Sequence, residues 1–367
     1  MKLKSLFLLE FVILMLSYAC SSPVEEQEKI VPGSIVLLAD NEIIRADGNH
    51  KSAFTVLLTD ENGEQLDVTS SSDIYMVGND DPMQSPCFSS TEGGEYTFYA
   101  VYGFAVSPEV VVRVAEGLSV LPSDPAPDSK DFKYRMILLQ HTGTECPNCP
   151  ALMTKLKKLA EDEAYASRYY HVASHSYNLS DNAYSSSAAL LSRSLNVKYY
   201  PWLTFNLSQD SKIELDEIKA YIDEHYKDRA DAGITMSASH SDGYVYVNVG
   251  VKSGASTDCR LAVWLLEDNI SGVQSGATSS WQHNHNNCLR QMYGEAQSER
   301  IYGKSLGSLS EGEVSEQIVA VELEDDWKAA NCKVLAIVTV SDGQRGYQLA
   351  NCAVCPVGET LPYVYNN

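Results

Sequence analysis

A chain of 367 residues carries 27 Lys and Arg against 49 Asp and Glu, for a net charge of −22. So acidic a surface excludes a nucleic-acid partner, because binding phosphates needs a basic face. With 44% apolar and 21% charged residues, the composition is that of a globular protein long enough for two or three domains.

Residues 1–19 read as a signal peptide. Lys2 and Lys4 form a basic start, and 6–16 is an apolar core interrupted by Glu10. The core is too short to span a membrane. Small residues lead up to Cys20, as before the cut of a secretory signal. A cysteine in that place resembles a bacterial lipoprotein box, so lipidation at Cys20 is expected; an ordinary cleaved signal is the alternative. Either puts the mature protein outside the cytoplasm. Eight cysteines remain after Cys20, an even number that suits an oxidising compartment. Residues 20–29 are polar and acidic, a tether.

From 30 to 116 the pattern is all β. Strand-like runs at 34–39, 53–59, 72–77, 94–102 and 109–115 are separated by turn clusters such as Asn62-Gly63 and Gly93-Gly94. An immunoglobulin-like β-sandwich is expected. Residues 117–131, with Pro122, Pro125 and Pro127, read as a linker.

The segment 132–231 carries the chemistry. An apolar run at 134–140 leads through a turn containing Gly143 to Cys146-Pro147-Asn148-Cys149, then Leu152, Leu156 and Leu159 at helical spacing. A strand, a tight turn and a helix opening on Cys-x-x-Cys form a thioredoxin-like redox motif. At a helix start, unpaired N–H groups and the helix dipole favour thiolate, so Cys146 is the expected nucleophile and Cys149 the resolving thiol. The run 196–205, with Tyr200-Pro201, resembles the cis-proline segment that presents substrate backbone in that fold. A thioredoxin-like α/β domain is expected here. His141 and His175, at strand ends, are candidates to tune Cys146 or take a proton from Cys149, or else ordinary polar edge residues.

From 232 to 367 the chain returns to β, with 244–249 alternating as a half-buried strand should. A C-terminal β-sandwich is expected. His283 and His285 lie two apart, but no third ligand stands at metal spacing, so no metal site is expected. Strands at 334–340 and 347–354 flank a turn and should form a hairpin. Pairing Val340 with Tyr347 would set Cys332 opposite Cys355, a candidate disulfide beside Cys146–Cys149; the alternatives are Cys352 opposite Cys332 after a bulge, pairing with Cys259 or Cys288, or three free thiols.

The stretch from Thr142 to Pro150, the Tyr200-Pro201 segment, and Trp281-Gln282-His283-Asn284-His285 with Leu289-Arg290 together resemble a Bacteroidales lipoprotein family. That family is related to the 28-kilodalton outer-membrane protein. The resemblance runs from about residue 132 to the end. It implies an outer-membrane lipid-anchored location, on the periplasmic or cell-surface face, and an adhesin or receptor role. Three positions depart from thioredoxins: Glu145 replaces the tryptophan before the first cysteine, Pro150 the basic residue after the second, and Trp202 the threonine after the cis-proline. Glu145 should oppose thiolate formation at Cys146.

Two functions follow as expectations. The first is thiol–disulfide exchange on extracytoplasmic proteins through Cys146, Cys149 and Pro201, modulated by Glu145, His141, His175 and Tyr200. The second is a redox-inert surface binding protein in which Cys146–Cys149 is a structural disulfide. Partners are accordingly protein thiols or disulfides, or a surface ligand, with the membrane held by a lipid anchor. No cofactor is expected. Whether the chain is an enzyme is left open between the two. Replacing Cys20 by alanine is expected to move the protein from the membrane to the soluble fraction, read by fractionation and immunoblot; unchanged partitioning would refute lipidation there.

Overall fold

A computed structural model describes residues 33–366 apart from 342, 344 and 345. The expected signal segment and Cys20 lie outside the described residues.

The first unit is a two-sheet sandwich. One sheet runs β1 (Ile35–Ala39), β3 (Ser52–Thr59) and β4 (Gln65–Asp67), with β6 (Cys87–Phe88) also on β3. The other runs β2 (Ile43–Arg45), β9 (Val110–Ala115), β7 (Gly94–Tyr102) and β5 (Asp73–Met76), with β8 (Ala105–Val106) on β7. Period-two patterning decides which residues face inward. Ile35, Leu37, Phe54, Val56, Phe98, Val112 and Val114 form the core between the sheets. Cys87 is an exposed free thiol.

The rest of the chain is built on one mixed sheet of eight strands. β10 (Met136–Thr142) pairs in parallel with β11 (Tyr169–His175) and antiparallel with β12 (Trp202–Phe205). All seven residues of β10 are buried, as a strand covered on both faces requires. β11 pairs in parallel with β18 (Cys288–Met292) at Ala173↔Cys288. The sheet continues through β15 (Thr257–Glu267), β21 (Cys332–Ser341) and β22 (Tyr347–Pro356), and β19 (Lys304–Leu309) also pairs with β15.

A second sheet, β20 (Val314–Glu322), β14 (Tyr244–Ser253), β13 (Ala232–Ser241) and β23 (Thr360–Leu361), packs on the β15–β21–β22 part. A two-stranded ribbon of β16 (Ile270–Ser271) and β17 (Asn284–His285) completes it. The helices are α1 (Cys149–Ala160), α2 (Glu163–Ala166), α3 (Ser186–Ser194), α4 (Leu215–His225) and α5 (Gln297–Tyr302). α1 has proline in its first turn and buries Leu152, Leu156 and Leu159. Each leucine contributes about 1.5–3 kcal/mol of burial.

This corrects the expected plan of a separate thioredoxin-like α/β domain between two sandwiches. The fold is mostly β, and β10, β11 and β12 do not close a sheet of their own. An open edge on β11 would leave backbone donors and acceptors unpaired. That edge is taken up by β18, so the α/β segment is one end of the sheet that also forms the C-terminal sandwich. β14 also differs from its expected half-burial: nine of its ten residues are buried. Its valines face the sandwich core, while Tyr246 packs against Ala115 and Leu118 from the end of the first unit.

The expected Cys332–Cys355 disulfide is absent. Tyr347 pairs with Ser341 rather than Val340, one residue of shift at the turn, and a bulge between Val338 and Thr339 adds a second. Val334 stands opposite Cys355, and Cys332 accepts the Val357 N–H instead, at 3.0 Å. Cys332 and Cys355 are therefore two positions out of step, and both are buried free thiols.

A buried ion pair pins this sheet where its two ends meet. Arg290 on β18 donates from Nε to Glu267 on β15 at 2.7 Å, with both side chains only 4% exposed. Arg290 also donates to the Asn182 carbonyl at 2.9 Å, and Glu267 accepts the Lys328 N–H at 3.0 Å. Arg290→Met should strand the Glu267 charge and cost about 3–5 kcal/mol, measured by urea unfolding. A loss below about 1 kcal/mol would show that the pair is not holding the seam.

Candidate functional site

The site forms where the β10 strand ends and the chain turns into α1. Gly143 is required at that turn because a Cβ there would lie 2.5 Å from the Tyr177 Cβ. Cys146 occupies the turn and Cys149 is the first residue of the helix, and the two form a disulfide. Cys146 is 2% exposed and Cys149 0% exposed. The sequence reading placed the first sulfur at an open helix start; here it is closed over.

The cover comes from the loop between β16 and β17. Gln274, itself 2% exposed, donates from Nε2 to the carbonyls of Gly143, Thr144 and Cys146, at 3.2, 3.2 and 3.0 Å. The Ser275 N–H donates to the Thr144 carbonyl at 2.6 Å. Further along, Gln282 donates to the Pro150 carbonyl at 3.0 Å, and a Ser279–Gln282 capping box holds the short 3-10 turn that carries it. Gly276, at φ +70°, lies so close that a Cβ would meet the Pro147 carbonyl oxygen at 2.2 Å. The strap is therefore seated directly on the disulfide turn.

Asp181 ties a second side of the turn. Its carboxylate accepts the Thr144 N–H at 2.8 Å and the His175 Nδ1–H at 2.7 Å, and its other oxygen accepts the Ala183 N–H at 2.9 Å. Burial alone would raise the Asp181 pKa; the His175 hydrogen bond and charge, with the two backbone donors, outweigh it and bring it to about 2. His175 is thus linked to the disulfide turn through Asp181.

The other expected residues are placed as follows. His141 lies on the opposite face of β10, where Nδ1 meets Ser192 Oγ at 2.8 Å and Nε2 meets Thr204 Oγ1 at 3.3 Å. Burial drives its pKa down to about 3, and its bonding commits it to the α3 side of the sheet. The Tyr200–Pro201 peptide is cis, and the Tyr200 hydroxyl shares a 3.0 Å hydrogen bond with Ser176. Glu145 turns outward and accepts from Ser180 Oγ at 2.8 Å. His283 accepts the Gln274 N–H at 3.0 Å, and His285 Nε2 bonds the Gly272 carbonyl at 3.2 Å. Both are strap residues, and among the described residues no cluster of three or more His, Cys, Asp or Glu is placed to hold a metal.

Asp181, Gln274 and Gln282 were not anticipated. Gln274 stands 131 positions from Gly143 and carries no local pattern that would announce it. Asp181 had one: it is the only carboxylate between His175 and the α3 helix.

Residues 189–357 match the family model described as outer membrane protein Omp28. That segment is similar to the family toward which the sequence resemblance pointed, and the matched family is one of outer-membrane proteins. No curated protein matches the chain. Among solved structures, the chain is similar to HBP35 of Porphyromonas gingivalis, with a TM-score of 0.51 and 14% identity, covering 64% of this chain and 78% of that one. This is a likeness of fold. Two others, surface layer protein SbsC domains 4–9 and Yersinia pseudotuberculosis InvD, align at TM-scores of 0.19 and 0.18 with 12% and 10% identity. They cover 90% and 92% of this chain, and 51% and 100% of their own, and carry no argument. Among the described residues no helix is long and apolar enough to cross a membrane.

The Asp181 pKa sets a pH dependence. Lowered from 3.8 to about 2, it contributes stability that is full above about pH 4 and is lost as pH falls toward 2. Asp181→Asn should therefore lower stability at neutral pH and flatten the loss between about pH 4 and 2. Unfolding midpoints of both proteins across that range measure it; parallel curves would remove Asp181 from the account.

Proposed function

We propose that the protein is a non-catalytic outer-membrane binding protein in which Cys146–Cys149 is a permanent staple of the strapped turn. One observation carries this reading: both sulfurs belong to buried residues, under a strap held by hydrogen bonds from Gln274, Ser275 and Gln282. Exchange proceeds by in-line attack of a thiolate on an accessible sulfur, and burial opposes each direction of it. Glu145, the residue beside Cys146, is acidic rather than the basic or aromatic neighbour of a reactive site. A permanent disulfide suits the oxidising side of an outer membrane. Anchoring through a lipid at Cys20 belongs to the same reading.

Alkylation tests it. The native protein is treated with a mild water-soluble reductant and then iodoacetamide, and labelled cysteines are mapped by mass spectrometry. Cys146 and Cys149 are expected to stay unlabelled until the protein is unfolded, with a pair potential below about −300 mV. Rapid labelling of Cys146 in the folded protein would overturn the staple and restore exchange.

A further inference from the structure

The first sandwich is held by the rest of the molecule at one end only. There β2 runs beside β9, with Arg45 opposite Ala115. Arg45 pairs with Glu316 at 3.3 Å, Ser239 donates to the Glu116 carbonyl at 3.3 Å, and Leu118 packs with Tyr246. β7 starts at this end, with Gly94 opposite Val114, and runs away from it to Tyr102. The Gly103-Phe104 turn that joins β7 to β8 therefore lies at the far, free end.

The chain enters the sandwich at that same free end. β3 and β7 start side by side: Ala53 pairs with Cys87, and the Gly48 N–H donates to the Ser90 carbonyl at 3.1 Å, just ahead of β7. Both strands accordingly finish at the free end. The Gly33 N–H donates to the carbonyl of Thr59, the last residue of β3, at 2.8 Å.

Local structure does not call for an aromatic residue at this tip. Gly103, at φ +60°, holds the first central position of a two-residue hairpin turn, which needs that glycine and leaves the next residue free. Such turns ordinarily carry small polar residues. Here Phe104 is 109% exposed and Val106 60%, and residues 101–107 carry no charge. Apolar side chains scattered singly over a surface need no explanation. An uncharged tip with a bare phenylalanine, on the end where the chain enters, does.

We propose that the β7–β8 tip is a membrane wedge: Phe104, with Val106 behind it, inserts among neutral lipids beside the anchor and holds the sandwich end-on to the bilayer. The wedge rests on the anchoring reading given above. Gly33 follows Cys20 by thirteen positions, a length that spans at most about 45 Å even fully extended. An anchor at Cys20 thus keeps the free end of the sandwich, and not the end joined to the second unit, next to the lipid. Burying one phenylalanine side chain favours the buried state by about 10- to 100-fold. That is too weak to recruit a protein from solution and sufficient to orient one already tethered. The charges select the lipid. Glu61 and Glu64 in the β3–β4 turn and Asp73 opposite Val101 are exposed at the same end, and anionic headgroups would be repelled there.

The test places the full lipid-anchored chain in phosphatidylcholine vesicles with and without chain-brominated lipid. Phe104→Trp is the reporter. Val120→Trp is the reference, at an exposed position beside the Ser119 carbonyl that accepts from Ser237 of the second unit. Emission of the four native tryptophans is subtracted with the wild-type protein. Brominated chains should quench the tryptophan added in Phe104→Trp at least about twofold and leave that of Val120→Trp unchanged. Adding phosphatidylglycerol should reduce the quenching; undiminished quenching would overturn the preference for neutral lipid. Equal quenching at the two positions, no quenching at Phe104→Trp, or a shift in its emission that follows protein concentration without vesicles would overturn the wedge. Vesicle flotation reads the anchor separately. A chain that does not float refutes lipidation at Cys20, and a hexahistidine tag in its place on nickel-chelating lipid lets the same quenching decide the wedge.

Discussion

Everything around the disulfide depends on how the free edge of β11 is satisfied. A strand whose far neighbour is missing exposes a row of backbone donors and acceptors. The Ala173 N–H donates to the Asn287 carbonyl at 2.8 Å, and the parallel pairing Ala173↔Cys288 begins one residue later. That seam carries β18 alongside β11 and, with it, the ribbon β16–β17. Because the ribbon enters β18 directly, its loop has nowhere to lie but across the turn at the top of β10. The strap over Cys146–Cys149 is thus a consequence of edge pairing about 140 residues away in the chain.

Backbone accounting then explains why the strap is built on glutamines. The Gly143–Cys146 turn is buried and not helical; its Gly143, Thr144 and Cys146 carbonyls accept the Cys146, Ser275 and Cys149 N–H groups at 3.1, 2.6 and 3.3 Å, and each keeps a second lone pair for a side-chain donor. One carboxamide nitrogen reaching three of them is an economical solution: a lysine would satisfy the same acceptors but bury a charge. Its cost shows in the same residue. Gln274 Oε1 is left without a hydrogen-bond partner among the described residues. Gly276 follows from the same close approach, since only a residue without a Cβ fits against the Pro147 carbonyl.

What the sequence revealed was local. Strand runs such as 94–102 and the helix opening at the Cys-x-x-Cys pair were legible because alternation and three-to-four spacing are carried by neighbouring residues. The apolar run at 134–140 announced a strand, which forms at Met136–Thr142. The long-range facts were not legible. Nothing near Ala173 names Cys288 as its partner, so the α/β segment read as self-contained. The hairpin of β21 and β22 was found, but one residue of shift at its turn and another at the Val338/Thr339 bulge displaced Cys332 from Cys355. His141 failed for a simpler reason. Adjacent residues of a strand face opposite ways, so sitting beside Gln140 and Thr142 placed it on the wrong side of the sheet.

The charge distribution joins the two halves of the functional account. The chain is strongly acidic, and its buried charges are spent on internal partners: Arg290 on Glu267, Lys252 on Asp124, Asp181 on His175. What remains for solvent is an excess of carboxylates, and their field repels anions at any opening. Lys157 and Lys155 on α1 are likewise paired, with Glu161 at 2.6 Å and Glu214 at 2.8 Å, so the helix beside the disulfide turn follows the same accounting.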